Sequence, residues 1–132
     1  MNLQELADKS PLIAAAVAIP ELDVEAACQA VGLPEPATLD SLDGLWLGQL
    51  VQHAGLGLPA DPYRVRSWLR FGTPAEEPAA GDVAVTAGDT IEWVGIWLSA
   101  GPQLTSILTR EGVRKVDTTA VLTTRRPIIA ED

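Results

Sequence analysis

The hydrophobic pattern changes its period once along the chain, at Asp82. Before that residue, apolar side chains recur every three or four positions, which is typical of helices packed on a core. After it they alternate at every second position, and valine, isoleucine, threonine and tryptophan dominate, as they do in strands. Helices followed by a run of strands predict an α+β fold, with amino-terminal helices packed on a small antiparallel twisted sheet.

Five strands are predicted after that change of period. Glycine, proline and aspartate mark the turns between them, because these residues accept tight backbone geometries. The strands are expected near Val83–Thr86, Thr90–Ser99, Gln103–Thr109, Val113–Asp117 and Val121–Arg125. The turns are expected at Ala87-Gly88-Asp89, Ala100-Gly101-Pro102 and Glu111-Gly112.

Short helices are predicted before Asp82, each with its own start and stop signals. Ser10-Pro11 favours a helix that runs to Ile19, because serine caps a helix and proline is tolerated in the first turn. Further helices are expected over residues 24–31, 41–55 and 62–71, each with a glycine at or just after its end. In the last of these helices Val65, Trp68 and Leu69 are expected to be buried.

The helix predicted at Ser41–Gly55 organises the rest of the chain. Its face with Leu45, Trp46 and Leu50 is broad and apolar. Asp43 falls in its first turn, where exposed N–H groups and the positive end of the helix dipole suit an activated nucleophile. The residue at that place is nevertheless a carboxylate.

Composition and charge limit the classes of protein to which this chain can belong. The 132 residues are the size of one domain, and 47% of them are hydrophobic, which is enough for one core. The net charge is −9, and residues 1–60 hold eight acidic side chains against one basic. This acidity argues against binding to nucleic acid or an anionic membrane. It suits a solvated acidic surface, which is the favoured interpretation, or a basic protein partner.

A cytoplasmic location is expected. The apolar run Leu12–Ile19 is too short to cross a bilayer, and the residues before it are not basic as they are in a secretory signal. Cys28 is the single cysteine, so no internal disulfide can form, which fits a reducing compartment.

The chain offers little recognisable chemistry when its residues are considered alone. One cysteine and one histidine, His53, cannot build a zinc site, and no glycine-rich phosphate loop is present in the sequence. We therefore expect no metal and no cofactor. Cys28 is interpreted as a small packing residue and His53 as a residue of a helix end.

Four segments taken together resemble a known family. They are Val65-Arg66-Ser67-Trp68-Leu69-Arg70-Phe71-Gly72, Pro78-Ala79-Ala80-Gly81-Asp82-Val83-Ala84-Val85, Trp93-Val94-Gly95-Ile96-Trp97-Leu98 and Ala120-Val121-Leu122-Thr123-Thr124-Arg125-Arg126-Pro127. In order and spacing they resemble small papain-fold amidases of the NlpC and CHAP type, in the branch found in phage lysins and prophage proteins. The resemblance covers about residues 37–128. Together with the chain length, it predicts a single domain over 1–132 in which residues 1–36 form a helical amino-terminal extension.

The resemblance implies a site in which this chain has lost the expected residues. In the family a cysteine at the start of the central helix attacks an amide bond of peptidoglycan, a strand histidine activates it, and a polar residue on the next strand orients the imidazole. A gap-free alignment puts Asp43 at the cysteine; placing Trp46 on the motif tryptophan instead needs a deletion and puts Leu47 there. Trp93 takes the place of the histidine, and the third position falls near Thr109 or Arg110.

These replacements predict a catalytically inactive homologue that binds another protein, as an adaptor, an immunity-like protein or a component of a phage or secretion assembly. One alternative is a residual peptidoglycan hydrolase that uses the two carboxylates of Asp43 and Glu92. The other is a purely structural subunit of a homo-oligomer.

The binding candidates are Asp43, Glu92, Trp93, Trp97 and Arg110. Trp93 and Trp97 should share one side of a strand, and they mark an interface if exposed or a core if buried. Arg110, with Arg114 and Lys115, forms a basic cluster on a predicted hairpin, where charges also protect a sheet edge from pairing.

Overall fold

The computed structural model describes residues 3–19, 24–31, 42–59, 65–87, 92–100, 104–109, 112–117 and 120–128. Within these ranges the helices are α1 (Leu3–Ala7), α2 (Pro11–Ala18), α3 (Val24–Val31), α4 (Leu42–His53) and a 3₁₀ helix (Val65–Arg70). The strands are β1 (Thr73–Pro74), β2 (Val83–Ala87), β3 (Glu92–Ala100), β4 (Leu104–Thr109), β5 (Gly112–Asp117) and β6 (Val121–Arg126). None of the helices in these ranges is long and apolar enough to cross a membrane.

The strands form one six-stranded antiparallel sheet in the order β1-β6-β2-β3-β4-β5. Strands β2 to β5 follow one another as a meander, while β6 returns to pair with β2 on the other side. The short β1 then pairs with β6, through Thr73 opposite Arg126. The predicted α+β class with an antiparallel sheet is confirmed at this level.

All five predicted strands are present, and each begins and ends within two residues of its predicted bounds. The additional strand β1 was not predicted, because its two residues are too few to show a period. Of the predicted turns, residues 88–89, 101–102 and 111 lie outside the described residues. Gly112 is described and has a φ of 117°, which favours glycine.

The predicted helix signals at Ser10 and Gly55 act as expected. The Ser10 hydroxyl accepts a hydrogen bond from the backbone N–H of Ile13 at 3.2 Å, and Pro11 occupies the first helical position of α2. Gly55 follows α4 with a φ of 74°. The predicted start at Asp61-Pro62 lies outside the described residues.

The segment Val65–Arg70 differs from its prediction because it is a 3₁₀ helix. In a 3₁₀ helix residues three apart lie on one side, so Trp68 and Phe71 are buried together, with ring centroids 4.9 Å apart. Leu69 turns away from that side and is 39% exposed, so the prediction that Leu69 is buried is wrong. The side chain of Val65 lies outside the description.

The main core lies between one face of the sheet and the helices. α4 supplies Trp46, Leu47, Leu50 and Val51 to it. The residues that meet them are Leu12 and Ile13 of α2, Trp68 and Phe71, and the strand residues Val83, Val85, Val94, Ile96, Leu98 and Leu108. α2 is therefore an integral part of this core, and α3 packs against α4.

A second, smaller cluster lies on the opposite face of the sheet. It consists of Ala84, Trp93, Trp97 and Ile107, with Val116 and Val121 packed against it. Successive residues of a strand point to opposite faces. This alternation sends Val94 and Ile96 to the helices and the two tryptophans to the other face.

Candidate functional site

Asp43, at the start of α4, is the first of the predicted site residues. Asp43 is half-buried in the first turn of this helix, and Gly44 and Leu45 after it are buried. A carboxylate in a first turn stabilises a helix by about 0.3–1 kcal/mol, because it meets the positive end of the helix dipole. The position therefore has a structural explanation that needs no chemistry at Asp43.

Trp93, at the predicted histidine position, lies on the sheet face away from α4. It is 8% exposed and shares its cluster with Trp97, which is 6% exposed. The Thr86 hydroxyl donates a hydrogen bond to the Trp93 carbonyl oxygen at 3.0 Å, and the Arg114 guanidinium carbon lies 5.4 Å from the ring centroid. The two predicted tryptophans are brought together, and they are buried rather than exposed.

The other predicted positions are described only in part. β3 begins at Glu92, whose side chain lies outside the description, and Arg110 lies outside the described residues. Thr109 is buried at the end of β4, and its hydroxyl donates to the Gly112 carbonyl oxygen at 2.9 Å. Of the predicted positions, the structure joins Trp93 with Trp97 and places Asp43 on a helix that packs against the other face.

A pocket of about 330 Å³ opens on the helix side of the β4–β5 hairpin. Leu3 and Gln4 of α1, Ala16 and Val17 of α2, Trp46 of α4, and Leu108, Thr109 and Gly112 of the hairpin line it. We call it the Trp46 pocket. The sequence places Trp46 on the apolar face of this helix, but it carries no signal that assigns Trp46 to a pocket.

The turn before β2 is fixed by one buried carboxylate. The Asp82 carboxylate accepts a hydrogen bond from the Ala79 backbone N–H at 2.8 Å and is 3% exposed as a residue. The same carboxylate accepts two hydrogen bonds from Arg126, one from Nε at 3.2 Å and one from Nη2 at 3.0 Å. The hydrogen bond and the attraction of Asp82 raise the pKa of the Arg126 guanidinium, which therefore stays charged.

Two backbone hydrogen bonds attach the same turn to β3. The Gly81 N–H donates to the Trp97 carbonyl oxygen at 2.9 Å, and the Trp97 N–H donates to the Asp82 carbonyl oxygen at 2.7 Å. Gly81 has a φ of 97°, and a Cβ there would lie 2.3 Å from the Ser10 hydroxyl oxygen. Position 81 therefore requires glycine, because the positive φ disfavours other residues and because a Cβ would collide with Ser10.

The single cysteine and the single histidine of the sequence lie on different helices. Cys28 is a buried free thiol in α3, whereas His53 is exposed in the last turn of α4. Across the described ranges, no group of three or more histidine, cysteine, aspartate or glutamate side chains is arranged to hold a metal ion.

Comparison of the chain with models of protein families, with curated proteins and with solved structures found no match. The likeness to papain-fold amidases therefore rests on the four sequence segments. In the structure Asp82, from one of those segments, is hydrogen-bonded to Trp97 and to Arg126, which belong to two of the others.

Proposed function

We propose that this protein is a catalytically inactive module of papain-like (NlpC/CHAP) fold that acts by binding another protein. The order of helices and then antiparallel strands supports this fold. The contacts between the resembling segments support it further, because Asp82 is bonded to both Trp97 and Arg126. A motif whose members contact one another is more specific than the same residues scattered over a surface.

One observation carries the absence of catalysis in this proposal: the residue at the expected base position, Trp93, is buried on the sheet face away from α4. Papain-type chemistry requires a thiol and an imidazole within hydrogen-bond reach. Here the candidate positions hold Asp43 and Trp93, while the only thiol and imidazole of the sequence belong to Cys28 and His53. Loss of nucleophile and base together removes about 10⁶ of rate in a comparable triad.

A protein is the partner that the composition favours. A net charge of −9 opposes binding to polyanions. The Trp46 pocket gives the surface a mostly apolar recess, with half-exposed Val17 at 39% on its wall. We infer an adaptor-like or immunity-like role in the cytoplasm, with a phage-derived or secretion assembly as the context.

Incubation with purified peptidoglycan tests the loss of chemistry. New amines and new reducing ends are measured for the natural protein, for Asp43→Ala and for Asp8→Ala, which removes an exposed acid elsewhere. The expected result is no release above buffer for any of them. Release that Asp43→Ala abolishes and Asp8→Ala preserves would overturn the proposal in favour of a hydrolase that uses Asp43.

Light scattering during size-exclusion chromatography separates binding of a partner from self-assembly. The proposal expects a monomer over the micromolar range. A concentration-independent oligomer instead identifies the protein as a structural subunit, because obligate oligomers do not depend on an outside partner.

A further inference from the structure

The strand β5 combines three properties that are not found together elsewhere among the described strands. It is the terminal strand of the sheet, next to β4 only. It carries two adjacent exposed cations, Arg114 and Lys115, in a chain whose net charge is −9. The side chain of Val113 on this strand is also exposed, with a relative exposure of 52% for the residue. A terminal strand can accept a further strand from another molecule.

The Trp46 pocket opens beside the first residues of β5. Gly112 lines the pocket, and Val113 pairs with Leu108, another of its lining residues. Because side chains alternate along a strand, Val113 and Lys115 share the helix side of the sheet, while Arg114 lies on the tryptophan side over Trp93. Along this edge, the apolar residue Val113 therefore lies beside the Trp46 pocket, and the next two residues, Arg114 and Lys115, are positively charged.

We propose that the outer edge of β5 binds an extended acidic segment of the partner protein as an added antiparallel strand. Acidic residues of that segment lie opposite Lys115 and Arg114, and a large apolar residue lies opposite Val113, where it covers Val113 and closes the Trp46 pocket. In the direction of the partner chain, the pattern is acidic, acidic, apolar. This assignment rests on the proposed function, since it names the partner and the surface of that binding module.

Charge disfavours pairing of β5 with a second copy of itself in the centred register. If two β5 strands paired antiparallel about their centre, Arg114 of one copy would oppose Lys115 of the other, and like charges directly opposite destabilise a strand pair. The same cations attract an acidic strand. Antiparallel pairing is also slightly more stable for each residue than parallel pairing.

Fluorescence anisotropy with two labelled nonapeptides tests the assignment. The first probe is Ser-Thr-Thr-Glu-Glu-Leu-Thr-Thr-Ser, and the second has lysine in place of both glutamates. Each is titrated with the natural protein, with Lys115→Glu and with Arg70→Glu, which reverses an exposed charge on the 3₁₀ helix. All three proteins are first shown to have equal unfolding midpoints.

The natural protein and Arg70→Glu are expected to bind the acidic probe more tightly than the lysine probe. Lys115→Glu should weaken binding of the acidic probe about five- to tenfold and strengthen binding of the lysine probe, because one attraction becomes a repulsion. Equal binding of both probes, no binding of the acidic probe, or equal losses in the two variants would overturn the assignment. Turnover of peptidoglycan would overturn the proposed function instead, so the two failures are distinguishable.

Discussion

Arg126 donates hydrogen bonds to both carboxylate oxygens of Asp82, from Nε to Oδ1 at 3.2 Å and from Nη2 to Oδ2 at 3.0 Å. The pair joins the turn before β2 to the end of β6, 44 residues later in the chain. The Asp82 side chain is 4% exposed and that of Arg126 is 51% exposed. The raised pKa of Arg126 means that its contribution is complete below the ordinary arginine pKa and is lost only in strong alkali.

Asp82→Ala should be among the most destabilising substitutions in the chain. It removes the acceptor for the Ala79 N–H as well as the anion that Arg126 binds, so the turn before β2 loses its only buried carboxylate among the described residues. We expect the free energy of unfolding to fall by about 2–4 kcal/mol, measured by urea denaturation. Glu76→Ala, on an exposed position of the same loop, should change it by less than about 0.5 kcal/mol. Equal effects would mean that the Asp82 contacts contribute nothing.

Gly95→Ala should be destabilising although the backbone of Gly95 is ordinary strand. A Cβ at this position would lie 2.6 Å from Ile107 Cγ2 and 2.8 Å from the Leu108 carbonyl oxygen, so β3 and β4 must move apart. Overpacking of this kind costs about 1–3 kcal/mol, visible as a lower thermal midpoint. Gly57→Ala is the matched control, because its Cβ would meet only ordinary contacts, at 3.7 and 3.8 Å. A midpoint that is unchanged by Gly95→Ala would show that the strands tolerate the extra methyl group.

The strand bounds could be predicted from the sequence because alternation and turn residues are local signals. The position of β6 between β1 and β2 could not, since it depends on contacts such as Thr73 with Arg126, which no local pattern encodes. The prediction for Leu69 was wrong for a different reason. Residues 65, 68 and 69 share one face in an α-helix, whereas this segment is a 3₁₀ helix, in which residues three apart share one face, as Trp68 and Phe71 do.

The candidate site was predicted less well than the fold. Sequence spacing correctly put Trp93 and Trp97 on one side of a strand, but it could not say which face of the sheet that side is. The Trp46 pocket depends on α1 and α2 meeting the β4–β5 hairpin, which lies far from these two helices in the chain. The role of Asp82 was also missed, because a Gly-Asp pair is common at strand starts.

Trp93→Ala should unfold the second cluster rather than uncover an active site. The indole is 8% exposed and packs with Trp97 and Ile107, so truncation leaves a cavity and should cost about 3–5 kcal/mol. Leu122→Ala, at a position that is 57% exposed, should cost less than about 0.5 kcal/mol. Urea denaturation monitored by circular dichroism measures both. A stable Trp93→Ala protein that hydrolyses peptidoglycan would contradict this account. The indole would then block an active-site cleft and would not be a core residue.

The thiol of Cys28 should react slowly in the native protein. Cys28 is buried at 5% exposure in α3, next to α4, so a thiol reagent reaches it only when this region opens. We expect the reaction with an aromatic disulfide reagent, followed by absorbance, to be about a hundredfold or more slower in buffer than in denaturant. The control is Cys28→Ala combined with Leu122→Cys, whose thiol stands at an exposed position and should react equally fast in both. Rapid native labelling of Cys28 would show that α3 separates readily from α4, and that the packing of the organising helix is looser on this side than its buried residues indicate.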